Sequence, residues 1–210
     1  FDGSTQRVGI GETSPLAKLH IKTSSTSNTN QLLLESTDAG ATSGPDLALY
    51  RNSASPADGD VLGALWFYGN NSTPVQELYS GILSIANDVT DGTEDSEIRF
   101  LNMVNGTLQT PMTIDGLNVG IGATDPSRNL QVKGTANAAI AITATTTGLA
   151  QLALGDTDDD NYAQIILDNS TNKLQIQNGG GGVVSNRGIT LDSSENVGIG
   201  TASPSRPLHV

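Results

Sequence analysis

Val8-Gly9-Ile10-Gly11-Glu12-Thr13-Ser14-Pro15-Leu16-Ala17-Lys18-Leu19-His20-Ile21 is a pattern that this 210-residue chain carries three times. It returns as Val119-Gly120-Ile121-Gly122-Ala123-Thr124-Asp125-Pro126-Ser127-Arg128-Asn129-Leu130-Gln131-Val132. The third copy is Val197-Gly198-Ile199-Gly200-Thr201-Ala202-Ser203-Pro204-Ser205-Arg206-Pro207-Leu208-His209-Val210. In each copy the proline falls seven residues after the first valine and the leucine eleven after it. Fixed internal spacing is the mark of a modular architecture, because an active site needs its constellation only once. In an extended strand the valine and isoleucine share one face, and the two glycines share the other. The glycine face has no Cβ, so another backbone can come close there. The Ser/Asp-Pro step then stops the strand in a turn or one short helical turn. A second strand follows, with Leu19 and Ile21 on one face and His20 and Lys22 on the other.

Working outward, the stretches between copies align with each other. Leu47-Ala48-Leu49 matches Leu152-Ala153-Leu154, and Tyr79-Ser80-Gly81-Ile82-Leu83 matches Tyr162-Ala163-Gln164-Ile165-Ile166. Ile98-Arg99-Phe100 before Asn105-Gly106 matches Leu174-Gln175-Ile176 before Asn178-Gly179. Met112-Thr113-Ile114-Asp115 matches Ile189-Thr190-Leu191-Asp192. The organisation is therefore a linking motif at 1–22, an elaborated module at 23–117, a second link at 118–133, a minimal module at 134–195 and a third link at 196–210. The elaborated module carries an added strand, Gly63-Ala64-Leu65-Trp66-Phe67-Tyr68-Gly69. Phe1-Asp2 and Val210 correspond to positions inside repeat units, so a parent polypeptide continuing in both directions is expected.

Short apolar runs separated by Gly, Asn, Asp, Ser and Pro predict an all-β fold. Strands are expected at 31–35, 46–51, 61–68, 79–87, 96–104, 111–115, 138–143, 151–155, 162–168, 173–177 and 188–192. No stretch keeps a 3.6-residue period over a helical length. Aromatic residues make up only 4% of the chain, so a thick core is hard to build from one copy, and association with identical chains would complete it. The formal net charge of −12 argues against nucleic acid and anionic membrane surfaces as partners. Residues 138–154 are the most apolar, but threonines and Gln151 interrupt them, and no membrane insertion is expected. With no cysteine there is neither a disulfide framework nor thiol chemistry.

Candidate chemistry is sparse. The Gly-x-Gly of each motif lacks the third glycine and the following helix of a dinucleotide site. His20 and His209 occupy one motif position, and the second copy has Gln131 there. A catalytic base would not tolerate glutamine, so no catalytic residue and no cofactor is assigned. Asp156, Asp158, Asp159 and Asp160 form a weak Ca²⁺ candidate without EF-hand spacing; a solvated hairpin tip between strands is the favoured reading. Asp91, Glu94, Asp95 and Glu97 form a second acidic loop. A carboxylate pair for polysaccharide cleavage is easily found in so acidic a chain, and the sequence singles none out. Trp66, Phe67 and Tyr68 are the candidates for stacking on a receptor or glycan, with Trp66 and Tyr68 expected on one face, Leu65 and Phe67 on the other. Packing within the protein is the competing reading.

The Asn-Val-Gly-Ile-Gly-Thr-x-x-Pro-Ser-x-x-Leu-His-Val pattern at 196–210, with its copies at 118 and 7, resembles the repeat of bacteriophage tail fibres and tailspike-like proteins. In such proteins it often precedes a self-cleaving intramolecular chaperone domain, and Val210 falls where such a domain or another repeat would begin. The resemblance implies a homotrimer, an intertwined β-prism or β-helix-like shaft with Val8, Ile10, Val119, Ile121, Val197 and Ile199 toward the threefold axis. It also implies a virion protein, extracellular in the particle and assembled in the host cytoplasm. Its partners would be its own copies, other tail or fibre proteins, and a host-cell surface glycan. A tailspike depolymerase and a cellular β-repeat adhesin are the alternative readings.

Overall fold

A computed structural model describes residues 6–26, 30–41, 44–158, 162–178 and 188–210. Within them the protein is all-β, with no helix. Its strands are β1 Val8–Ile10, β2 Leu19–Ile21, β3 Asp60–Asn70, β4 Gln76–Asp88, β5 Asp95–Val104, β6 Thr107–Asp115, β7 Asn118–Ile121, β8 Leu130–Val132, β9 Leu149–Leu154, β10 Ala163–Asp168, β11 Lys173–Asn178, β12 Ile189–Leu191, β13 Val197–Ile199 and β14 Leu208–His209. The chain divides into one unit at 1–98 and a second at 99–210. Strands β1–β4 belong to the first, β6–β14 to the second, and β5 runs across the boundary.

All three motifs fold alike. The Val-Gly-Ile segment pairs in parallel with the segment that follows the proline: β1 with β2, β7 with β8, and β13 with β14. Parallel neighbours usually need a long crossover. Here the short loop suffices because its second glycine, Gly11, Gly122 or Gly200, sits at φ of 72°, 69° or 72°. That left-handed conformation is open to glycine and strained for other residues. The first valine N–H of each copy donates to the carbonyl ten residues on, at 2.8–2.9 Å.

In the first unit β3 and β4 form a long antiparallel hairpin with register shifts at Val61/Gly63 and Phe67/Tyr68. In the second, β6 pairs antiparallel with β7. There too β9, β10, β11, β12 and β13 run as an antiparallel meander ending in the parallel β14. The predicted match of Met112–Asp115 with Ile189–Leu191 holds in register. Thr113 lies opposite Gly120, and Thr190 lies opposite Gly198.

One expectation fails. The segments at 31–35, 46–51 and 138–143 are not strands, so Leu47–Leu49 is no counterpart of β9. Their composition suits a pleated surface, but a strand also needs a neighbour for its N–H and C=O groups, and these segments pair with no strand among the described residues. Of the two alternatives at the motif prolines, a turn or one helical turn, the chain takes the turn: residues 13–14 and 16–18 are bends. Proline disfavours helical backbone in the residue before it, and the N–H after it is claimed by a side chain, described below. Pro15, Pro126 and Pro204 are all buried.

Candidate functional site

The β9–β14 sheet is inside out. Residues paired across strands share a face, and the registers assemble two apolar rows. Leu152, Ile165, Ile176, Ile189 and Ile199 form one. Ala150, Leu167, Leu174, Leu191, Val197 and Leu208 form the other. All five members of the first row are 40–49% exposed. The opposite face is polar and buried: Gln164, Gln175, Gln177 and Thr190 are each at most 3% exposed. A soluble sheet with one solvated face normally turns its apolar side inward. Among the described residues, apart from the three motif prolines, the only buried aliphatic or aromatic side chains are Ile85, Ala86, Ala123 and Ile166.

The buried polar face holds together by its own hydrogen bonds. Gln177 Nε2 donates to Gln164 Oε1 at 3.2 Å, and Gln175 Nε2 to Thr190 Oγ1 at 3.3 Å. Lys173 Nζ donates to the carbonyl of Ala202 at 2.8 Å, tying the third motif loop to β11. Asp168, at the β10–β11 turn, is held below the usual carboxylate range, first by the Ser170 hydroxyl and then by that of Thr171. Sequence reasoning missed the inversion. Its signal was there in Gln175 and Gln177 alternating with Leu174 and Ile176, but an alternating strand does not say which face is covered.

The six expected axis residues all lie in such rows. Val197 and Ile199 belong to the two just described. Val119 sits between Ile114 and Leu130, and Ile121 between Met112 and Val132. Val8 pairs with Leu19, and Ile10 with Ile21. Ile10 is 55% exposed. The glycine face does admit a close backbone, and that backbone is the protein's own. A Cβ at Gly9, Gly120 or Gly198 would collide with the carbonyl of Glu12, Ala123 or Thr201.

The interchangeable histidine and glutamine have one task. His20 Nδ1 accepts the N–H of Leu16 at 3.3 Å, Gln131 Oε1 that of Ser127 at 2.9 Å, and His209 Nδ1 that of Ser205 at 3.4 Å. Each closes the loop just after the proline. In the first copy Glu12 also caps Ser14 N–H at 2.8 Å and pairs with Lys22 at 2.6 Å. The Lys22 bond first, and the Ser14 bond second, lower the Glu12 carboxyl to about 2.

Trp66, Phe67 and Tyr68 lie in β3, all exposed. Gly81 is directly opposite Trp66, and a Cβ there would fall 2.5 Å from Cε3 of the indole. The ring therefore rests on the glycine. The register shift at Phe67/Tyr68 interrupts the simple alternation of faces expected there. Of the Ca²⁺ candidates, Asp156 accepts the N–H of Asp158 at 3.0 Å in an exposed loop. Asp159 and Asp160 lie outside the described residues. No cluster of three or more metal-ligating side chains forms among the described residues. Of the other acidic group, Glu94 accepts the N–H of Gly92 in the loop, whereas Asp95 and Glu97 belong to β5, where Glu97 is buried.

Fold and site together define a protein of repeated β modules that leaves an apolar sheet face open. No protein-family model matches the chain, and no curated protein proved similar to it.

Proposed function

We propose that this chain is a non-enzymatic structural segment of a trimeric viral fibre of the phage tail-fibre kind. It would lie on the outside of the virion, after assembly in the host cytoplasm, and join other tail or fibre proteins along its length. One observation carries the reading: the β9–β14 sheet buries Gln164, Gln175, Gln177 and Thr190 within the chain and leaves two rows of isoleucine, leucine and valine largely open. Apolar area in a continuous patch marks an interaction surface. A shaft of three copies buries it, with the rows of all three motifs turned toward the shared axis. The β3 strand with Trp66, Phe67 and Tyr68 is the element available to a host-surface glycan.

Light scattering on the purified chain tests this. The expected mass is about 65 kDa, three chains of 21.7 kDa; a species of 21.7 kDa at all concentrations overturns it. Release of reducing sugar from host surface polysaccharide would overturn the non-enzymatic part.

A further inference from the structure

We infer that residues 138–143 of one copy become a strand by adding to the free edge of β9 in a neighbouring copy. The inference rests on the trimer reading above. Ala138-Ala139-Ile140-Ala141-Ile142-Thr143 alternates isoleucine with small residues, the pattern of a strand with one apolar face. Yet it has no regular secondary structure, and Ile140 and Ile142 are exposed.

The acceptor is equally incomplete. Among the described residues β9 is the last strand of its sheet, paired with β10 on one side only. Its sequence, Leu149-Ala150-Gln151-Leu152-Ala153-Leu154, has neither charge nor proline. Long apolar edges without such guards recruit another strand. Within one chain the two do not zip together. The turn between them, Gly148 N–H to the Thr145 carbonyl at 2.9 Å, is held by Asn169 Nδ2, which also donates to that carbonyl at 2.9 Å. Ile142 instead lies beside Ala150, Leu152, Ile165, Leu167 and Leu174, around a cavity of about 280 Å³.

A second copy fits better than an unrelated protein, because each chain carries both halves of the pair. A foreign strand on β9 would leave the chain's own 138–143 unpaired. Copies joined head to tail satisfy both, and under threefold rotation such contacts close into a ring. The added strand would extend the Leu152–Ile199 row by one isoleucine, since Ile140 and Ile142 repeat at the spacing of that face.

The absence of cysteine makes the test clean. Four double variants combine Ala139→Cys or Ala141→Cys with Gln151→Cys or Ala153→Cys, positions that alternate with the apolar rows. Oxidation of the assembled protein is expected to give disulfide-linked chains of two and three subunits in at least one variant, reversed by reductant. Amides of 138–143 in the unmodified trimer are expected to exchange at least about tenfold more slowly than in an unpaired segment. A trimer with no linked chains in any variant and fast exchange at 138–143 overturns the pairing and leaves the fibre reading standing. A disulfide confined to single chains also overturns it. A monomeric protein removes both.

Discussion

Ile166 and Ile176 have opposite situations in the same sheet, and the contrast is measurable. Ile166 is fully buried within its own chain, whereas Ile176 is 49% exposed in an apolar row. Removing the Ile166 side chain beyond Cβ leaves a cavity, and Ile166→Ala should cost about 2–5 kcal/mol per chain. That loss appears as lower melting temperature whether or not the chains are assembled. Covering the open half of Ile176 contributes about half of the ~1.5–3 kcal/mol for burying an isoleucine, so ~1 kcal/mol per chain and ~3 kcal/mol per trimer. Ile176→Asp removes this and places a carboxylate against an apolar row, which adds a desolvation penalty of several kcal/mol per ion. Assembly should weaken by at least roughly 100-fold, while the isolated chain loses only the covered half, ~1 kcal/mol. Light scattering across a dilution series, with urea unfolding in parallel, separates the two effects. An Ile176→Asp protein that kept the mass of three chains throughout would refute the assignment of this face to the subunit interface.

Three further outcomes follow from the motif. Gly122→Ala and Gly200→Ala both force alanine into left-handed backbone, ~1–2 kcal/mol each. At Gly122 the new Cβ also collides with the Lys133 carbonyl, for ~1–3 kcal/mol more; a urea midpoint unchanged in Gly122→Ala would contradict that packing. His20→Gln should leave stability unchanged, because Gln131 already closes the equivalent turn, whereas His20→Ala should lose ~0.5–1.5 kcal/mol with the hydrogen bond. The check is the difference between the two variants in urea midpoint. Glu12, Asp88, Asp168 and Asp192 all have lowered carboxyl pKa values in the folded chain. Their contribution is complete above the unfolded values of 3.8–4.5 and is lost as pH falls through the folded ones. The melting temperature should therefore be flat from pH 7 to about 5 and drop below about pH 4; a rise on acidification would contradict these hydrogen bonds.

Much of the molecule was legible before any coordinate. The strands around Trp66, Tyr79, Phe100, Ile114, Ile165 and Ile176 follow from alternation bounded by turn residues. The equivalence of Thr113 and Thr190 follows from aligning the modules, though not the motif glycine that each faces. The interchange of His20, Gln131 and His209 marked that position as structural, but not its partner. The bond runs to an N–H four residues upstream, across a turn whose shape depends on a buried proline and a left-handed glycine. The segments 31–35, 46–51 and 138–143 were read as strands from composition that does suit strands. Pairing lies outside what composition can express.

Sequence alone determined the all-β class, the threefold repetition of a strand–turn–strand link and, outside the bulged β3, which residues of a strand share a face, because strand periodicity and glycine and proline stereochemistry are local properties of the chain. Which face is covered was decided only in the tertiary structure. The same alternation of glutamine with isoleucine serves an ordinary sheet or an inverted one, and burial depends on what the rest of the chain lays against each side. Here the motif loops come back over the glycine side, and the apolar rows stay open.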